Sequence, residues 1–167
     1  MKKIDLRKLV AAALFAALAC VATLVIQVPS PIGGYLNLGD CVVLLCGWLL
    51  GPIYGSIAAG LGPALADVIS GYVVYAPATF VIKALMALAA YFIGKMFVRS
   101  RYIASLVSGV CAEAVMVLGY FAFEAIFLQL GWGAAAGIVS NIVQGIVGVI
   151  CAFLLKEIID RKKLWKY

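Results

Sequence analysis

The sequence predicts an all-α integral membrane protein with six transmembrane helices and with both termini in the cytoplasm. Hydrophobic residues make up 66% of its 167 positions and charged residues only 12%, whereas a soluble domain is about half apolar and about a quarter charged. Six spanning helices of about 20 residues each account for most of this length. We therefore expect residues 1–167 to form a single membrane domain in the lipid bilayer.

Prolines, glycines and short charged runs divide the apolar sequence into six segments. These residues interrupt helices because proline lacks an N–H group and glycine favours turns. The breaks lie at residues 29–34, 51–52, 72–77, 99–101 and 131–133. The predicted helices are therefore 9–26, 37–50, 53–70, 78–97, 103–128 and 134–155.

Lysine and arginine indicate the orientation, because cytoplasmic loops of membrane proteins are enriched in both. Twelve of the 13 basic residues lie before helix 1, between helices 4 and 5, or after helix 6, and the loops at 29–39, 71–77 and 129–133 carry none. The twelve are Lys2, Lys3, Arg7, Lys8, Lys95, Arg99, Arg101, Lys156, Arg161, Lys162, Lys163 and Lys166. A division into five or seven helices would scatter them over both faces, so six spans are favoured. Because the charge follows topology, we expect no nucleic-acid partner.

The sequence argues against an enzyme and against a bound metal or cofactor. It contains no histidine, and its five cysteines form no C-x-x-C pair, so the usual zinc sites and a Ser-His dyad are excluded. It also lacks the G-x-x-x-x-G-K-[ST] loop that holds nucleotide phosphates. Energy from ATP would therefore have to come from a partner.

Ionisable side chains within the apolar segments predict a polar pocket that opens to the outside. Lys83 lies about two turns into helix 4, where a lysine costs on the order of 3 kcal/mol unless it pairs or lines a cavity. At about 1.5 Å per residue, Asp40, Asp67 and Glu124 lie at a similar outer depth, and Asn141 lies slightly deeper. Glu113 falls in the inner half, where we expect a structural role.

Alternative explanations exist for several of these residues. Asp67 and Lys83 would serve equally well as a buried pair that orders helices 3 and 4. Aromatic residues of the outer loops suit a planar ligand, but they also suit an interfacial aromatic belt. These aromatic residues are Tyr35, Tyr72, Tyr75 and Trp132.

Helix 1 carries alanines at four-residue spacing, as in the pairs Ala12/Ala16 and Ala13/Ala17. Small residues at this spacing permit close helix–helix contact in membranes. The contact is either packing inside the protein or docking to a partner.

Ordered motifs resemble one family of membrane proteins. They are Tyr35-Leu36-Asn37-Leu38-Gly39-Asp40, Leu50-Gly51-Pro52, Ala66-Asp67-Val68-Ile69-Ser70-Gly71-Tyr72, Tyr75-Ala76-Pro77-Ala78-Thr79-Phe80 and Lys83-Ala84-Leu85-Met86-Ala87. Together with the length and the alanine-rich helix 1, this set resembles the substrate-binding (S) components of energy-coupling factor (ECF) vitamin transporters.

The resemblance implies a bundle in the bacterial cytoplasmic membrane that binds one vitamin from outside, beneath a lid formed by the loop after helix 1. It implies association with a coupling membrane protein and two ATPases, and toppling within the bilayer to release the vitamin inside. The alanines Ala12, Ala13, Ala16 and Ala17 would form the docking face. The predicted ligand-binding residues are Tyr35, Asn37, Asp40, Tyr75, Thr79, Lys83, Tyr120, Glu124, Trp132, Asn141 and Gln144.

The expected ligand is a molecule of the pyridoxine or hydroxymethylpyrimidine type, because this sequence looks most similar to the S components linked to those compounds. Riboflavin or a modified purine precursor would suit the aromatic and polar groups nearly as well. A third possibility is an autonomous proton-coupled carrier with Lys83, Asp67 and Glu124 as its relay, although we find no internal symmetry of the kind that many carriers show.

Overall fold

The computed structural model describes residues 5–30, 32–97, 100–163 and 165. These residues form six α-helices, a short two-stranded hairpin and two irregular helical turns. The helices are α1 (Leu6–Val25), α2 (Gly39–Leu50), α3 (Pro52–Ile69), α4 (Ala76–Met96), α5 (Arg101–Ala122) and α6 (Ala136–Arg161). A π-helical turn extends α5 over Phe123–Phe127, and a 3-10 turn at Gly131–Ala135 precedes α6.

The helix boundaries follow from local chemistry. Asp5 caps α1 by accepting hydrogen bonds from the backbone N–H groups of Arg7 at 3.1 Å and Lys8 at 3.4 Å. Gly51, with φ of +80°, ends α2 and allows the chain to reverse. Pro52 then occupies the first position of α3, where its missing N–H costs little.

The short helix α2 occupies the centre of the bundle. Ten of its 12 residues are buried, and it contacts α1, α3, α4 and α6. A side chain at Gly47 would collide with the backbone of Ala87, so glycine permits the close crossing of α2 and α4. With about 1.5 Å per residue, α2 is about 18 Å long and leaves space above its N-terminus.

A β-hairpin fills part of that space. Strand β1 (Val28–Pro29) pairs antiparallel with β2 (Tyr35–Leu36), with Val28 opposite Leu36 and Pro29 opposite Tyr35. Gly33 and Gly34 adopt φ of +110° and +70° in the connecting turn, a conformation that favours glycine. The described residues of the loop after helix 1 therefore include two short paired strands, which the sequence did not predict.

The fold is a multi-pass, all-α membrane bundle apart from this hairpin. Five of the described helical segments are long and apolar enough to cross a bilayer, and α2 is an apolar helix too short for that criterion. Large hydrophobic side chains are exposed along the outer faces, such as Leu14, Leu118 and Ile146, as expected for surfaces that contact lipid. Six full spans and the placement of both termini in the cytoplasm remain predictions.

The charged residues used for that orientation lie mainly at one end of the bundle. Arg7, Lys95, Arg101 and Lys156 are at helix ends opposite the hairpin. Lys2, Lys3, Arg99 and Lys166 lie outside the described residues. We call the end with the hairpin the cavity end and the opposite end the basic end.

Candidate functional site

A narrow polar cavity lies at the cavity end, between the hairpin and the N-terminus of α2. Its lining residues come from the hairpin region, α3, α4, α5 and α6, and from the turns that join them. They are Ser30, Gly33, Gly34, Tyr35, Leu36, Asn37, Asp67, Tyr72, Tyr75, Thr79, Tyr120, Glu124, Asn141 and Gln144. About 30 Å³ is open to the centres of water molecules, which is room for about two of them.

Aromatic rings hold the hairpin over this cavity. Tyr72 lies between Tyr35 and Tyr75, with ring centroids 4.9 and 6.3 Å away. Tyr75 also contacts Phe123 edge-on at 5.5 Å. A Cβ atom at Gly33 would be 3.1 Å from the Tyr75 hydroxyl, so the glycine turn lies directly on that ring.

Two tyrosine hydroxyls donate to two buried carboxylates, and we call these four residues the rim. Tyr35 donates to Asp67 Oδ1 at 2.7 Å, and Tyr75 donates to Glu124 Oε1 at 3.5 Å. Burial, followed by the neighbouring carboxylate, raises the pKa of Tyr35 above its ordinary value and the pKa of Tyr75 to about 12. Both hydroxyls are therefore protonated donors at neutral pH.

Each rim carboxylate also has an oxygen without a partner. Asp67 Oδ2 and Glu124 Oε2 are buried and accept no hydrogen bond from the described residues. Asp67 is 6% exposed and Glu124 is 4% exposed. A buried acceptor without a donor is costly, so these two oxygens favour a ligand that supplies hydrogen-bond donors.

Below the rim lies a second polar layer in which both oxygens of a carboxylate are paired, and we call its residues Asp40, Lys83 and Gln144 the floor. Lys83 Nζ forms an ion pair with Asp40 Oδ1, and Gln144 Nε2 donates to Asp40 Oδ2 at 2.6 Å. Lys83 is 1% exposed and Asp40 is completely buried. The Lys83 ammonium also lies 5.4 Å from the centroid of the Tyr120 ring.

Hydrogen bonds connect the floor to the residues above it. Gln144 Oε1 accepts from the backbone N–H of Asn37 at 2.8 Å, and Asn37 Oδ1 accepts from the backbone N–H of Gly39 at 2.8 Å. Thr79 and Tyr120 share a hydrogen bond of 3.0 Å across α4 and α5. The position of the hairpin is thus linked to the start of α2 and to α6.

Comparison with known proteins identifies the kind of molecule to which this cavity belongs. A family model described as "ECF-type riboflavin transporter, S component" matches residues 3–161. The chain belongs to this family. It is also similar to a protein of Pyrococcus woesei described as "Uncharacterized protein in gap 3'region", with 36% identity over 143 residues, 85% of this chain and 94% of that protein.

Membership confirms the resemblance seen in the sequence at the level of ECF S components, which are membrane-embedded, substrate-binding subunits of vitamin transporters and not enzymes. The subtype linked to pyridoxine or hydroxymethylpyrimidine remains a prediction. Within the described residues, no group of three or more Cys, Asp or Glu side chains is arranged to hold a metal ion.

The structure brings most of the predicted ligand-binding residues of this S component to the cavity. Eight of them line it, namely Tyr35, Asn37, Tyr75, Thr79, Tyr120, Glu124, Asn141 and Gln144. Asp40 and Lys83 lie beneath it in the floor. No described residue hydrogen-bonds to the Asn141 side chain, so its amide is available to the cavity.

Two expectations need correction. Lys83 does not pair with Asp67, as the sequence allowed, because the ammonium reaches α2 and pairs with Asp40 instead. Trp132 does not line the cavity, because its side chain is 88% exposed and its ring lies beside Phe121, 6.5 Å between centroids.

Sequence reasoning omitted six lining residues. The sequence left Asp67 open between an ion pair and a contact with ligand, and it left Tyr72 open between a planar ligand and an aromatic belt. Ser30, Gly33, Gly34 and Leu36 were missed, because only the fold of the hairpin brings them over α2. The Gly33-Gly34 pair, between two apolar dipeptides, is the signal that could have indicated a turn over the site.

Glu113 lies outside the cavity of this S component. Its side chain packs between α5 and α6, with Oε1 3.0 Å from a Cβ position built on Gly148 and Oε2 3.2 Å from one built on Gly145. Both oxygens lack hydrogen-bond partners among the described residues. The glycines of α6 thus make the space that the carboxyl group occupies.

The alanines of α1 divide between two faces. Ala12 is 8% exposed and belongs to the core, and Ala16 packs against α3, where a side chain at Gly62 would collide with its carbonyl oxygen. Ala13 and Ala17 are exposed. Ala12 is therefore unavailable to a partner, and Ala13/Ala17 is the pair that faces away from the bundle.

Proposed function

We propose that this S component binds a small water-soluble vitamin or vitamin precursor in the polar cavity and delivers it for ATP-driven import by a separate ECF module. The observation that carries the proposal is the rim, where two buried carboxylates beneath aromatic rings each keep one oxygen that no described residue contacts by a hydrogen bond. Ligand sites are generally enclosed, apolar or aromatic spaces with a few convergent polar groups. The cavity has this composition.

The favoured ligand is of the pyridoxine or hydroxymethylpyrimidine type. Such a molecule has one small heteroaromatic ring, which suits the faces of Tyr35 and Tyr75, and hydroxymethyl, amino or protonated ring groups that donate hydrogen bonds. Two of these donors would satisfy Asp67 Oδ2 and Glu124 Oε2, and the Asn141 amide would meet a ring nitrogen or a further hydroxyl group.

Riboflavin is the second candidate, because the matching family model is described by that vitamin. Its ring system and its hydroxylated chain also offer donors, and the same holds for a modified purine precursor. A three-ring ligand would displace the hairpin further than a single ring would, since the space beneath it is small. The size of the displacement, not the donor pattern, separates these ligands.

The hairpin is proposed to be the lid of the site. A vitamin needs a pocket of a few hundred Å³, but the cavity has a volume of only about 30 Å³. The hairpin is two residue pairs long and rests mainly on tyrosine rings. Lifting it away from Tyr72 and Tyr75 would open the cavity without unfolding a helix.

Energy is proposed to come from a coupling membrane protein and two ATPases that dock on Ala13 and Ala17. The protein would lie in the bacterial cytoplasmic membrane with both termini inside, and the cavity would then face outward. An autonomous proton-coupled carrier is less well supported, because Lys83, the cation of the predicted proton relay, already forms an ion pair with Asp40. Collapse of uptake on dissipating the proton gradient alone would favour the carrier instead.

Calorimetric titration of the purified protein tests the binding function. We expect one compound from a panel of B vitamins and their precursors to bind tightly in the absence of any ATPase. Calorimetry is preferable to tryptophan fluorescence, since Trp132 is outside the cavity. A flat response across the whole panel would count against a vitamin receptor.

Substitution of Ala17 by tryptophan tests the docking proposal. We expect Ala17→Trp to abolish uptake in cells that contain the ECF module and to leave calorimetric binding unchanged, because the bulky ring projects from the bundle. Ala114→Trp is the matched control, since Ala114 is an exposed alanine on α5, and it should leave uptake intact. Loss of binding and uptake together in Ala17→Trp would mean that this alanine is part of the internal packing.

A further inference from the structure

A second groove lies at the basic end of the bundle, far along the helices from the vitamin cavity. It has a volume of about 470 Å³ and lies among α2, α4, α5 and α6. Its wall is mainly apolar and includes the half-buried Trp48 and the buried Ala90 and Ala104. Its mouth carries the cations of Lys95, Arg101 and Lys156. The groove therefore combines an apolar interior with a positively charged entrance.

The entrance has more positive charge than the neighbouring acids neutralise. Lys156 pairs with Asp160 at 2.6 Å, and Glu157, the other nearby acid, pairs with Arg161 at 2.6 Å. Within the described ranges, neither Lys95 nor Arg101 has a carboxylate at salt-bridge distance. Instead, Lys95 lies 4.5 Å from the Tyr91 ring centroid and Arg101 lies 5.8 Å from that of Tyr102.

The start of α5 adds to this positive potential. Arg101 is the first residue of the 22-residue helix, its first turn contains no acidic residue, and the Ser100 side chain makes no capping hydrogen bond. The N-terminus of a helix carries a partial positive charge, so a basic residue there is unfavourable and an anion is favourable. An anion bound between Lys95 and Arg101 would be stabilised by the N-terminus of α5 and would offset the unfavourable position of Arg101.

The interior of the groove distinguishes among anions. Trp48 Nε1 donates to Ser108 Oγ at 3.0 Å, which satisfies the indole N–H, and Ala90 and Ala104 are buried. A small inorganic ion would satisfy the cations but not the apolar wall. An amphipathic anion whose charge lies at the mouth and whose carbon chain extends inward would satisfy both.

The depth of the groove fits a membrane lipid. Lys95 is in the last turn of α4 and Arg101 in the first turn of α5, at the level where an interhelical basic pocket meets lipid headgroups. Exposed Phe97 and Tyr102 lie at the same level, as aromatic residues do at a membrane interface. We propose that this groove binds one anionic phospholipid, with its phosphate at Lys95 and Arg101 and its glycerol and proximal acyl carbons along Trp48 and Ala104.

Native mass spectrometry of the full chain in neutral detergent tests this proposal. The probes are phosphatidylglycerol and phosphatidylcholine with identical acyl chains. We expect one phosphatidylglycerol molecule to be retained about tenfold more strongly than phosphatidylcholine, because only the former carries net negative charge. This comparison uses the unmodified protein and does not depend on any variant being stable.

A charge-matched pair of variants locates the site. Lys95→Gln with Arg101→Gln should weaken phosphatidylglycerol retention by about tenfold or more, since each basic residue near the membrane surface contributes substantially to anionic-lipid binding. Lys162→Gln with Lys163→Gln removes the same charge from exposed positions beyond the groove and should leave retention unchanged. The charge-preserving Lys95→Arg with Arg101→Lys should keep it.

Three results would overturn the proposal. Equal retention of both lipids would show that the cations do not select charge, and equal loss in both neutralising pairs would show a diffuse surface effect. Displacement of the lipid by millimolar inorganic phosphate would assign the groove to a free anion. None of these results bears on vitamin binding, which occurs at the other end of the bundle.

Discussion

The rim and the floor of the cavity both contain buried carboxylates, but the two layers differ in how many of the carboxylate oxygens have hydrogen-bond partners. In the floor, both oxygens of Asp40 are satisfied, one by Lys83 and the other by Gln144. In the rim, Asp67 and Glu124 each accept a hydrogen bond from one tyrosine hydroxyl and keep one oxygen without a partner among the described residues. Since the carboxylates of both layers are almost completely buried, the difference lies in their partners and not in their exposure. A complete layer holds helices together, whereas an incomplete layer is suited to a ligand.

The largest effect is expected from breaking the floor. Lys83→Met leaves Asp40 buried with one oxygen unpaired, and removal of one partner from a buried ion pair costs about 3–5 kcal/mol. We expect a lower unfolding temperature in detergent and a lower yield of monodisperse protein. Lys162→Met, at an exposed position outside both the cavity and the groove, is the control and should be nearly neutral.

A double substitution sharpens this test. Lys83→Met combined with Asp40→Leu removes both charges, so part of the lost stability should return. If Lys83→Met instead unfolds like the unmodified protein but fails to bind ligand, Lys83 contacts the ligand and the floor is not a structural layer.

An intermediate effect is expected from neutralising the rim. Glu124→Gln preserves shape but weakens a charged acceptor, and hydrogen bonds to charged groups contribute about 1.5–3 kcal/mol. Ligand affinity should fall about tenfold to a hundredfold, while stability is unchanged or higher. Calorimetry measures the first quantity and thermal unfolding the second.

Glu157→Gln is the matched control for that variant, because it removes the same charge from α6 at the basic end. It should leave affinity unchanged. A Glu124→Gln protein with normal affinity and lower stability would place Glu124 with the floor residues, and the contrast between the two layers would disappear.

The smallest effect is expected from Tyr35→Phe. This change removes the donor to Asp67 Oδ1 but keeps the ring that contacts Tyr72. A typical hydrogen bond contributes about 1 kcal/mol, so the affinity for the ligand should fall about fivefold. Titration with the same ligand measures the change, and a loss as large as that in Glu124→Gln would show that Tyr35 contacts the ligand through its hydroxyl group.

The contrast also shows what the sequence could predict. Depth follows from residue count along a helix, and Asp67, Glu124 and Asn141, which were expected at or near one outer depth, do line a single cavity. Partner choice depends on how far each helix is rotated and on which helix lies opposite. The sequence alone could not show that Lys83 faces Asp40 on α2 instead of Asp67 on α3.

Irregular segments escaped prediction for a related reason. The hairpin pairs only Val28 with Leu36 and Pro29 with Tyr35, which is too short to produce a period-two pattern. Trp132 follows a glycine with φ of +53°, in a turn whose direction no helical periodicity determines. The expected helices, in contrast, differ from the observed ones only at their ends. The largest differences are in α5, which gives way to a π-helical turn after Ala122, and in α6, which continues to Arg161.

Native mass spectrometry of the protein purified in mild detergent tests the central claim most directly. If the unpartnered oxygens of Asp67 and Glu124 await donors from a ligand, the spectrum should contain a population with one added small molecule whose mass identifies a vitamin or a vitamin precursor. Supplementing the sample with that compound should fill the remaining sites, and Glu124→Gln should lose the addition. A spectrum of bare protein that no vitamin in the panel can change would contradict the account.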